Sequence, residues 1–415
     1  MHRSPRADAK ATLKGKPLGP MIRAMDAELD SIARWWLDHA VDLDKGEIAG
    51  EVSNDNQPNP STGLGLVYVA RLLWFFSAAY RHRAREDYKA AAMLCREILA
   101  DRFTDDENGG LVWSLDAGRR PESSKKQSYG QAFAIYGLSE YFLAFGDEDA
   151  LQAASGLVDL LEQHVHDREH GGYLEALDAG WKPLADVRLG ASDANADKTM
   201  NTHLHILEAY TNYHRAKQSA ESSALLAGLL ELFLDRFALP GGDHLVCFYT
   251  RHWEEVPAAI SFGHDIEASW LICEAADVLG DARLSGRSRS CAIALAHGVL
   301  DRGIDKLGGI LHERGPGERV DTSHVWWVQA EAMVGFFSAW QLTGAKSFLE
   351  TSLDCWKFIR DHQRDKEHGE WRWFSKLDCA SNGPYKAGPW KGPYHNGRAL
   401  LEMLHRLAAA QESSA

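Results

Sequence analysis

Two kinds of helical stretch alternate along the chain. In the first kind, apolar residues recur at three- and four-residue steps, which is typical of a helix with one buried face. The second kind is apolar on nearly every side, which indicates a helix buried all round. Examples of the first kind are residues 28–42, 154–167 and 352–365, and examples of the second are residues 70–81, 129–145 and 327–344. The pattern predicts helical hairpins, each with one outer and one inner helix.

A glycine signature follows each amphipathic stretch, as in DDENGGLVW from Asp105 and DREHGGYLEA from Asp167. Six glycines mark it: Gly46, Gly109, Gly171, Gly241, Gly308 and Gly369. Their spacings of 63, 62, 70, 67 and 61 residues define six units. Because glycine tolerates a positive φ, we expect it to end the helix, with a small hairpin or extended loop after it.

Six units of two helices predict an all-α, single-domain (α/α)6 barrel over residues 21–415, after a disordered tail at residues 1–20. A superhelical solenoid with the same repeat is the alternative, but six is the number of units that closes a ring. All inner helices of such a barrel run the same way. Their N-terminal ends then surround one mouth, where residues one repeat apart in sequence meet in one pocket.

Composition adds exclusions to this picture. Hydrophobic residues make up 45% of the chain, as in ordinary globular proteins, and the formal net charge of -14 argues against nucleic acid and an anionic membrane surface as partners. The six cysteines form no CxxC pair, which indicates free thiols in a reducing compartment. With no secretory signal and no apolar stretch of ~18 residues, we expect a cytoplasmic protein, and we expect it to be a monomer.

Polar and aromatic residues cluster where the inner helices begin. They are Arg71, Tyr129, Asn201, His205, His264, Glu267, Trp326, Trp327, His395 and Arg398. A helix N-terminus carries about half a positive charge, so a histidine there stays neutral and can accept a proton. His203 and His205 lie two residues apart, about 200° round a helix, so only one of them can face the pocket.

Each candidate also has a purely structural interpretation. A lone histidine in an apolar helix is usually a hydrogen-bonded core residue, but three at the same phase of three repeats favour a site. His264 and Glu267 lie three residues apart on one helix face, which suits a carboxylate that orients the imidazole. We expect no metal there, because a second Glu-x-x-His unit is absent. Trp327 and Trp390 lie beside the cluster, where aromatic faces suit the C–H faces of a pyranose ring.

These residue types suit proton transfer. The sequence has no GxxxxGK phosphate loop, no GxGxxG after a strand and no GxSxG elbow, so nucleotides and acyl-enzyme chemistry are unsupported. Paired histidines on opposite sides of a substrate can remove a proton beside a carbonyl and return one to the other face. The enediolate between these steps needs a fixed positive partner, for which Arg71 is the candidate.

Four segments resemble cellobiose 2-epimerases, within the N-acylglucosamine 2-epimerase superfamily. They are KTMNTHLHILEAYTN from Lys198, SFGHDIEASWL from Ser261, WWVQAEAMVGF from Trp326 and GPWKGPYHNGRA from Gly388. The resemblance implies an (α/α)6 barrel that needs no metal or nucleotide cofactor. It also implies a small-molecule carbohydrate substrate, typically cellobiose, whose reducing end changes between the glucose and mannose configurations.

The resemblance further implies a role for each site residue. His264 and His395 would be the acid/base pair, and His205 would assist ring opening or relay a proton. Arg71 would hold the substrate oxygens and the enediolate, and Glu267 would support His264. The residues implied to line the sugar subsites are Tyr129, Asp193, Asn201, Trp327 and Trp390.

Departures from the family pattern leave the preferred sugar open. Gly392 stands where family members usually carry Cys, and Arg251 and His252 stand where acidic residues are expected. One alternative is a mannose 2-epimerase or mannose–fructose isomerase acting on free monosaccharides. Another is an inverting glycosidase, which needs two carboxyl groups roughly 6.5–9.5 Å apart rather than histidine motifs. The third is a non-catalytic helical binding protein, which would not require histidines at matching phases.

Overall fold

The computed structural model describes residues 12–13, 16–191, 193–238, 241–315, 317, 319–378 and 383–413. Its helices are α1 (Leu18–His39), α2 (Leu66–His82), α3 (Glu86–Ile98), α4 (Ser128–Phe145), α5 (Glu148–Leu160), α6 (Met200–Lys217), α7 (Ala220–Arg236), α8 (Phe262–Leu279), α9 (Ala282–Arg302), α10 (Trp326–Thr343), α11 (Lys346–Phe358) and α12 (Tyr394–Ser413). Three of them, α3, α5 and α11, continue into a π-helical turn at Leu99–Phe103, Leu161–Val165 and Ile359–Gln363.

Very short antiparallel strands connect the helices. They are β1 (Thr12–Leu13), β2 (Lys16–Pro17), β3 (Val41–Asp42), β4 (Glu47–Ile48), β5 (Leu64–Gly65), β6 (Ser114–Leu115), β7 (Pro121–Ser123), β8 (Lys126–Gln127), β9 (Ala176–Leu177), β10 (Lys198–Thr199), β11 (Phe248–Tyr249), β12 (Ile260–Ser261), β13 (Glu313–Arg314) and β14 (Val320–Asp321). They pair as β1-β2, β3-β4, β5-β6-β7, β8-β9, β10-β11 and β12-β13-β14. Several of these pairs join the segment before one inner helix to a hairpin of the next unit.

The even-numbered helices form a closed inner ring. Each packs against the next, and α12 returns to pack against α2. The odd-numbered helices lie outside, each against an inner helix, with α1 packed on α12. In α4 every residue from Ser128 to Tyr141 is buried, whereas α5 buries one face, as their sequences predict. The predicted (α/α)6 barrel is therefore confirmed, and the open solenoid is wrong.

All six repeat glycines adopt a positive φ, between 65° and 82°. They lie in tight hairpins after the outer helices, such as the hairpin closed by the bridge between Thr104 and Leu111 around Gly109. The predicted hairpin is present, but the expectation that the glycine ends the helix is wrong. The positive φ is needed where the chain reverses, beside an Asp105 carboxylate that accepts backbone N–H groups of the same turn.

Buried lysines in the segments that lead into inner helices form ion pairs with aspartates of three of these hairpins. The ion pairs are Lys126–Asp105, Lys198–Asp167 and Lys386–Asp365. All three lysines are at most 1% exposed, so each ammonium depends on its aspartate for compensation. The hairpins therefore fix where the inner helices begin, which is the end of the barrel that carries the candidate site.

Further sequence expectations concern the ends and the thiols. Most of the expected tail at residues 1–20 lies outside the described residues, but Leu18–Pro20 form the first turn of α1, so the helical domain extends at least to Leu18. The described cysteines are free, and Cys379 lies outside the described residues. A search of the described helices finds none with the length and hydropathy to cross a membrane.

Candidate active site

A cavity of about 300 Å³ opens where the inner helices begin. Its lining includes all ten residues to which the family resemblance assigns a role: Arg71, Tyr129, Asp193, Asn201, His205, His264, Glu267, Trp327, Trp390 and His395. Of the other two residues that the sequence placed in this cluster, Trp326 lines the cavity and Arg398 does not. Every inner helix contributes, from Arg71 in α2 to His395 in α12. The shared phase of the repeats therefore brings distant parts of the chain together, as expected.

The three histidines of the cavity each use Nδ1 for a protein partner. In His264, Nδ1 lies 2.7 Å from Ser261 Oγ. In His205, Nδ1 lies 2.9 Å from Glu208 Oε2, and in His395 it lies 2.7 Å from Glu331 Oε1. An ionised carboxylate only accepts hydrogen bonds, so Nδ1 of each ring carries the proton when its partner, Glu208 or Glu331, is ionised. Burial raises the pKa of Glu331, and the Arg398 guanidinium opposes this by favouring the ionised form of both carboxylates. Nε2 of these two rings is then the nitrogen that can accept a proton from a substrate.

Glu267 does not orient His264, so this sequence expectation is wrong. Glu267 Oε1 instead accepts from Arg398 at 2.5 Å and lies 3.8 Å from His395 Nδ1. The reason is local, because Ser261 caps α8 and its hydroxyl lies closer to the imidazole than the side chain one turn later. A serine three residues before a histidine at a helix start is the signal that could have predicted this contact.

Burial keeps the proposed acid/base pair neutral. It is the largest cause that lowers the pKa of His264 to about 3, with smaller contributions from His205 and His312. Burial also lowers the pKa of His395 well below its usual value, assisted by the positive charges of Arg71 and Arg398. The sequence attributed neutrality to the helix N-terminus, but desolvation of the imidazolium is the larger effect.

Arg71 supplies a buried positive charge to the cavity. Its side chain is 3% exposed, and Nη2 donates to the Tyr129 hydroxyl at 2.8 Å. The guanidinium lies over the rings of Phe133 and Tyr394, 4.3 Å and 4.8 Å from their centroids. No carboxylate of the described residues lies within salt-bridge distance of it, and Nε has no hydrogen-bond partner among them. Such a cation is suited to an anion that forms on the substrate.

Two buried carboxylates that support the cavity, those of Glu208 and Glu331, were missed by the sequence analysis. Arg398 contacts Glu208, Glu267 and Glu331 together, and the Tyr394 hydroxyl donates to Glu208. Burial raises the pKa of Glu267 to about 7, whereas Arg398 and His205 overcome burial and lower the pKa of Glu208. These partners come from four helices, so no local pattern links them.

Two of these carboxylates and one site histidine have the spacing of a metal site. Ligand atoms of Glu267, Glu331 and His395 lie within 4.8 Å of one another. Arg398 donates to both carboxylates, at 2.5 and 2.7 Å, and so occupies the side that a cation would need. The described side chains therefore fit an ion-pair cluster better than a metal centre.

Aromatic and polar groups shape the rest of the cavity. The Trp327 ring contacts both proposed acid/base histidines, 4.8 Å from His264 and 5.5 Å from His395 between ring centroids. Asn201 Oδ1 is buried without a partner among the described residues, so it can accept a hydrogen bond from a ligand. Trp390 also borders a second groove, where its ring faces Trp113 at 6.1 Å.

The sequence matches the family N-acylglucosamine 2-epimerase (GlcNAc 2-epimerase) over residues 48–399. The chain belongs to this family. A cellobiose 2-epimerase from Bacteroides fragilis is 41% identical over 383 residues, which cover 92% of this chain and 97% of that protein. The resemblance inferred from four motifs is thereby confirmed, and the chain is an isomerase of the sugar epimerase type.

A solved structure extends this likeness to the fold. The cellobiose 2-epimerase from Spirochaeta thermophila has a TM-score of 0.87 at 36% identity, covering 94% of this chain and 98% of its own. A D-mannose isomerase from Marinomonas mediterranea is 24% identical over 406 residues, covering 92% of this chain and 97% of that protein. The relatives of this chain are thus named for different sugar isomerisations.

Proposed function

We propose that the protein interconverts the glucose and mannose configurations at the reducing end of a β-1,4-linked disaccharide such as cellobiose. The observation that carries the proposal is the arrangement of His205, His264 and His395 around one cavity, with Nδ1 of each ring engaged by the protein. The neutral imidazoles of His264 and His395, beside the buried Arg71 guanidinium, are the groups that proton transfer next to a carbonyl requires.

The reaction begins with the opening of the sugar ring, which His205 would assist as a proton relay. One imidazole of the pair His264 and His395 then accepts the proton of carbon 2. The electrons of that C–H bond form the C1–C2 double bond, and the carbonyl oxygen becomes an enediolate oxygen beside Arg71. The other imidazole holds the proton that it took from the carbon 1 hydroxyl as the ring opened. It donates this proton to the opposite face of carbon 2, which restores the carbonyl. The two histidines exchange roles in the reverse direction.

A disaccharide is favoured by the space and aromatic surface next to the cavity. Trp390 borders both the cavity and the groove that contains Trp113, and an adjoining pocket of about 580 Å³ shares Asp193 and Asn201 with the cavity. We assign Tyr129, Asp193, Asn201, Trp327 and Trp390 to sugar binding. The 41% identity to a cellobiose 2-epimerase supports the same substrate class.

A second candidate is isomerisation of a free monosaccharide, which the likeness to a D-mannose isomerase favours. The same enediolate would then receive its proton at carbon 1, with a ketose as the product. The two candidates share their bases and differ in the carbon that is reprotonated.

The test is incubation of the purified protein in heavy water with cellobiose, glucose or mannose, followed by NMR and sugar analysis. We expect deuterium at carbon 2 together with the epimer of cellobiose. His264→Ala and His395→Ala should each reduce exchange by at least ~10²-fold. His252→Ala, at an exposed position outside the cavity, is the control and should retain activity. No exchange with any of the three sugars would contradict the proposal, and fructose formed from mannose would favour the second candidate.

A further inference from the structure

One guanidinium contacts both of the carboxylates that contact Nδ1 of a site histidine. Arg398 is 2% exposed and lies in α12, one turn after His395. Its Nη1 donates to Glu208, whose other oxygen lies 2.9 Å from His205 Nδ1. Its Nη2 donates to Glu331 Oε1 at 2.7 Å, and that oxygen lies 2.7 Å from His395 Nδ1.

We infer that Arg398 is a positioning residue, which holds Glu208 and Glu331 ionised and oriented so that His205 and His395 keep Nε2 free for the substrate. This inference rests on the proposed epimerase function and deepens it. Arg398 itself would act through the two carboxylates, without contacting the reacting carbon.

The charge balance of the cluster supports this role. Glu208, Glu267 and Glu331 are all at most 4% exposed, and Arg398 is the cation that contacts all three. Without it, three buried carboxylates would face one another, and burial and mutual repulsion would drive them to bind protons. The charge of the guanidinium, rather than its volume, is therefore what the cluster needs.

Protonation of Glu331 would change the chemistry of His395. A carboxylic acid carries a donor, so it would donate to Nδ1 instead of accepting from it. The neutral imidazole would then carry its proton on Nε2, which faces the cavity, and could no longer act as a base there. The same reasoning applies to Glu208 and His205, although Tyr394 also donates to Glu208.

Two variants of Arg398 and one control test the inference. Arg398→Met removes the charge and keeps an extended side chain, whereas Arg398→Lys keeps the charge. Arg215→Met is the control, because Arg215 also forms an ion pair in the barrel, 2.7 Å from Glu274, away from the site histidines. Folded fraction and melting temperature are measured for all three, so that activity is expressed per folded molecule.

We expect Arg398→Met to lower kcat by at least ~10²-fold with a smaller change in KM, and to move the acidic limb of the pH profile to higher pH. Arg398→Lys should recover part of kcat. The control should keep the wild-type kcat and pH profile per folded molecule. Wild-type kcat and pH profile in folded Arg398→Met would overturn the inference.

Histidine NMR measures the ring tautomers directly, without an activity assay, and its wild-type spectrum does not depend on whether a variant folds. With ¹⁵N-labelled histidine, the wild-type rings of His205 and His395 should be neutral and protonated on Nδ1, and Arg398→Met should shift them toward Nε2–H. Wild-type rings protonated on Nε2 would overturn the inference without any variant. If the tautomers behave as expected but no sugar is epimerised, the proposed function fails while the positioning role stands.

Discussion

At the scale of the residue, the HLH motif separates a structural histidine from a functional one. His203 is fully buried, with Nδ1 2.7 Å from the Thr199 carbonyl oxygen and Nε2 accepting the backbone N–H of Tyr173 at 2.9 Å. Both of its ring nitrogens therefore serve the fold. In His205 only Nδ1 contacts a protein partner, Glu208, and the side chain lines the cavity. The prediction that one of the two histidines faces the pocket is therefore confirmed.

Alanine at these two positions should have opposite effects. His203→Ala leaves the Tyr173 N–H unpaired in the core, removes the side-chain partner of the Thr199 carbonyl and creates a cavity, so we expect a loss of about 3 kcal/mol in unfolding free energy with near-normal activity per folded molecule. His205→Ala should lower activity by about 10²-fold and affect stability less. Urea denaturation and sugar turnover measure the two effects. Loss of turnover in folded His203→Ala would contradict this assignment.

Acid provides a separate test of the neutral state of His203. Burial, the largest cause, lowers its pKa from 6.5 to about 3. Between those pH values the unfolded chain binds a proton at this position and the folded chain does not, so folding loses stability as pH falls below 6.5. The unfolding free energy of His203→Ala does not include this pH-dependent loss, because alanine binds no proton. The difference in unfolding free energy between wild type and variant should therefore shrink by up to about 1.4 kcal/mol per pH unit, measured by urea titration at pH 7.5 and 5.5. A difference independent of pH would mean that folded His203 binds its proton with the same pKa as the unfolded chain.

The sequence predicted which residues surround the cavity better than what each one contacts. Repeat phase is enough to bring Arg71 and His395 together, because it depends only on which helix turn a residue occupies. Partners are harder to predict, because Glu331 lies 64 positions from His395 and no local spacing connects them. Glu208 follows His205 by three residues and could have been predicted from that spacing.

At the scale of the element, each of three hairpins fixes the start of an inner helix through an ion pair between its aspartate and a buried lysine, a contact that we call a clamp. Asp167 pairs with buried Lys198, and the Trp253 ring lies 4.6 Å from the Lys198 ammonium. Trp253 Nε1 also donates to the His170 carbonyl oxygen at 2.7 Å. Arg251, an unexpected residue in the sequence, pairs with Asp167 at 3.1 Å. This departure from the family pattern therefore strengthens a clamp and does not alter the cavity.

Two adjacent glycines in this hairpin should differ in their tolerance of a methyl group. Gly171 and Gly172 both have positive φ, 75° and 78°. An added Cβ at Gly171 has only Leu232 nearby, at 3.7 Å, whereas at Gly172 it would lie 2.7 Å from Trp253. We expect Gly171→Ala to cost about 1 kcal/mol from backbone strain, and Gly172→Ala about 2 kcal/mol more. Equal losses in thermal or urea unfolding would mean that Trp253 does not cover the turn.

At the scale of the whole molecule, the site exists only when the ring is closed. Arg71 in α2 lies over Tyr394 in α12, so the first and last inner helices complete one cavity. We call the junction between the first and last hairpins of the ring the seam. On its outer side, buried Glu28 in α1 accepts a hydrogen bond from Trp371 Nε1 at 2.8 Å and pairs with Arg364 at 2.6 Å. The sequence predicted closure from the number of units, but it contained no sign of these seam contacts, because their partners lie more than 300 positions apart.

Weakening the seam should therefore reduce stability and activity together. Glu28→Ala removes the acceptor of Trp371 and the counter-charge of Arg364, so we expect a loss of about 3 kcal/mol, whereas Asp38→Ala on the exposed face of the same helix should cost less than 0.5 kcal/mol. In urea, helical circular dichroism and sugar turnover should decline at the same midpoint, lower in Glu28→Ala than in the wild type. This follows because α12 supplies both His395 and half of the seam. Turnover that disappears well before helicity would show that the seam opens as a separate step, in which case the barrel would not unfold as one unit.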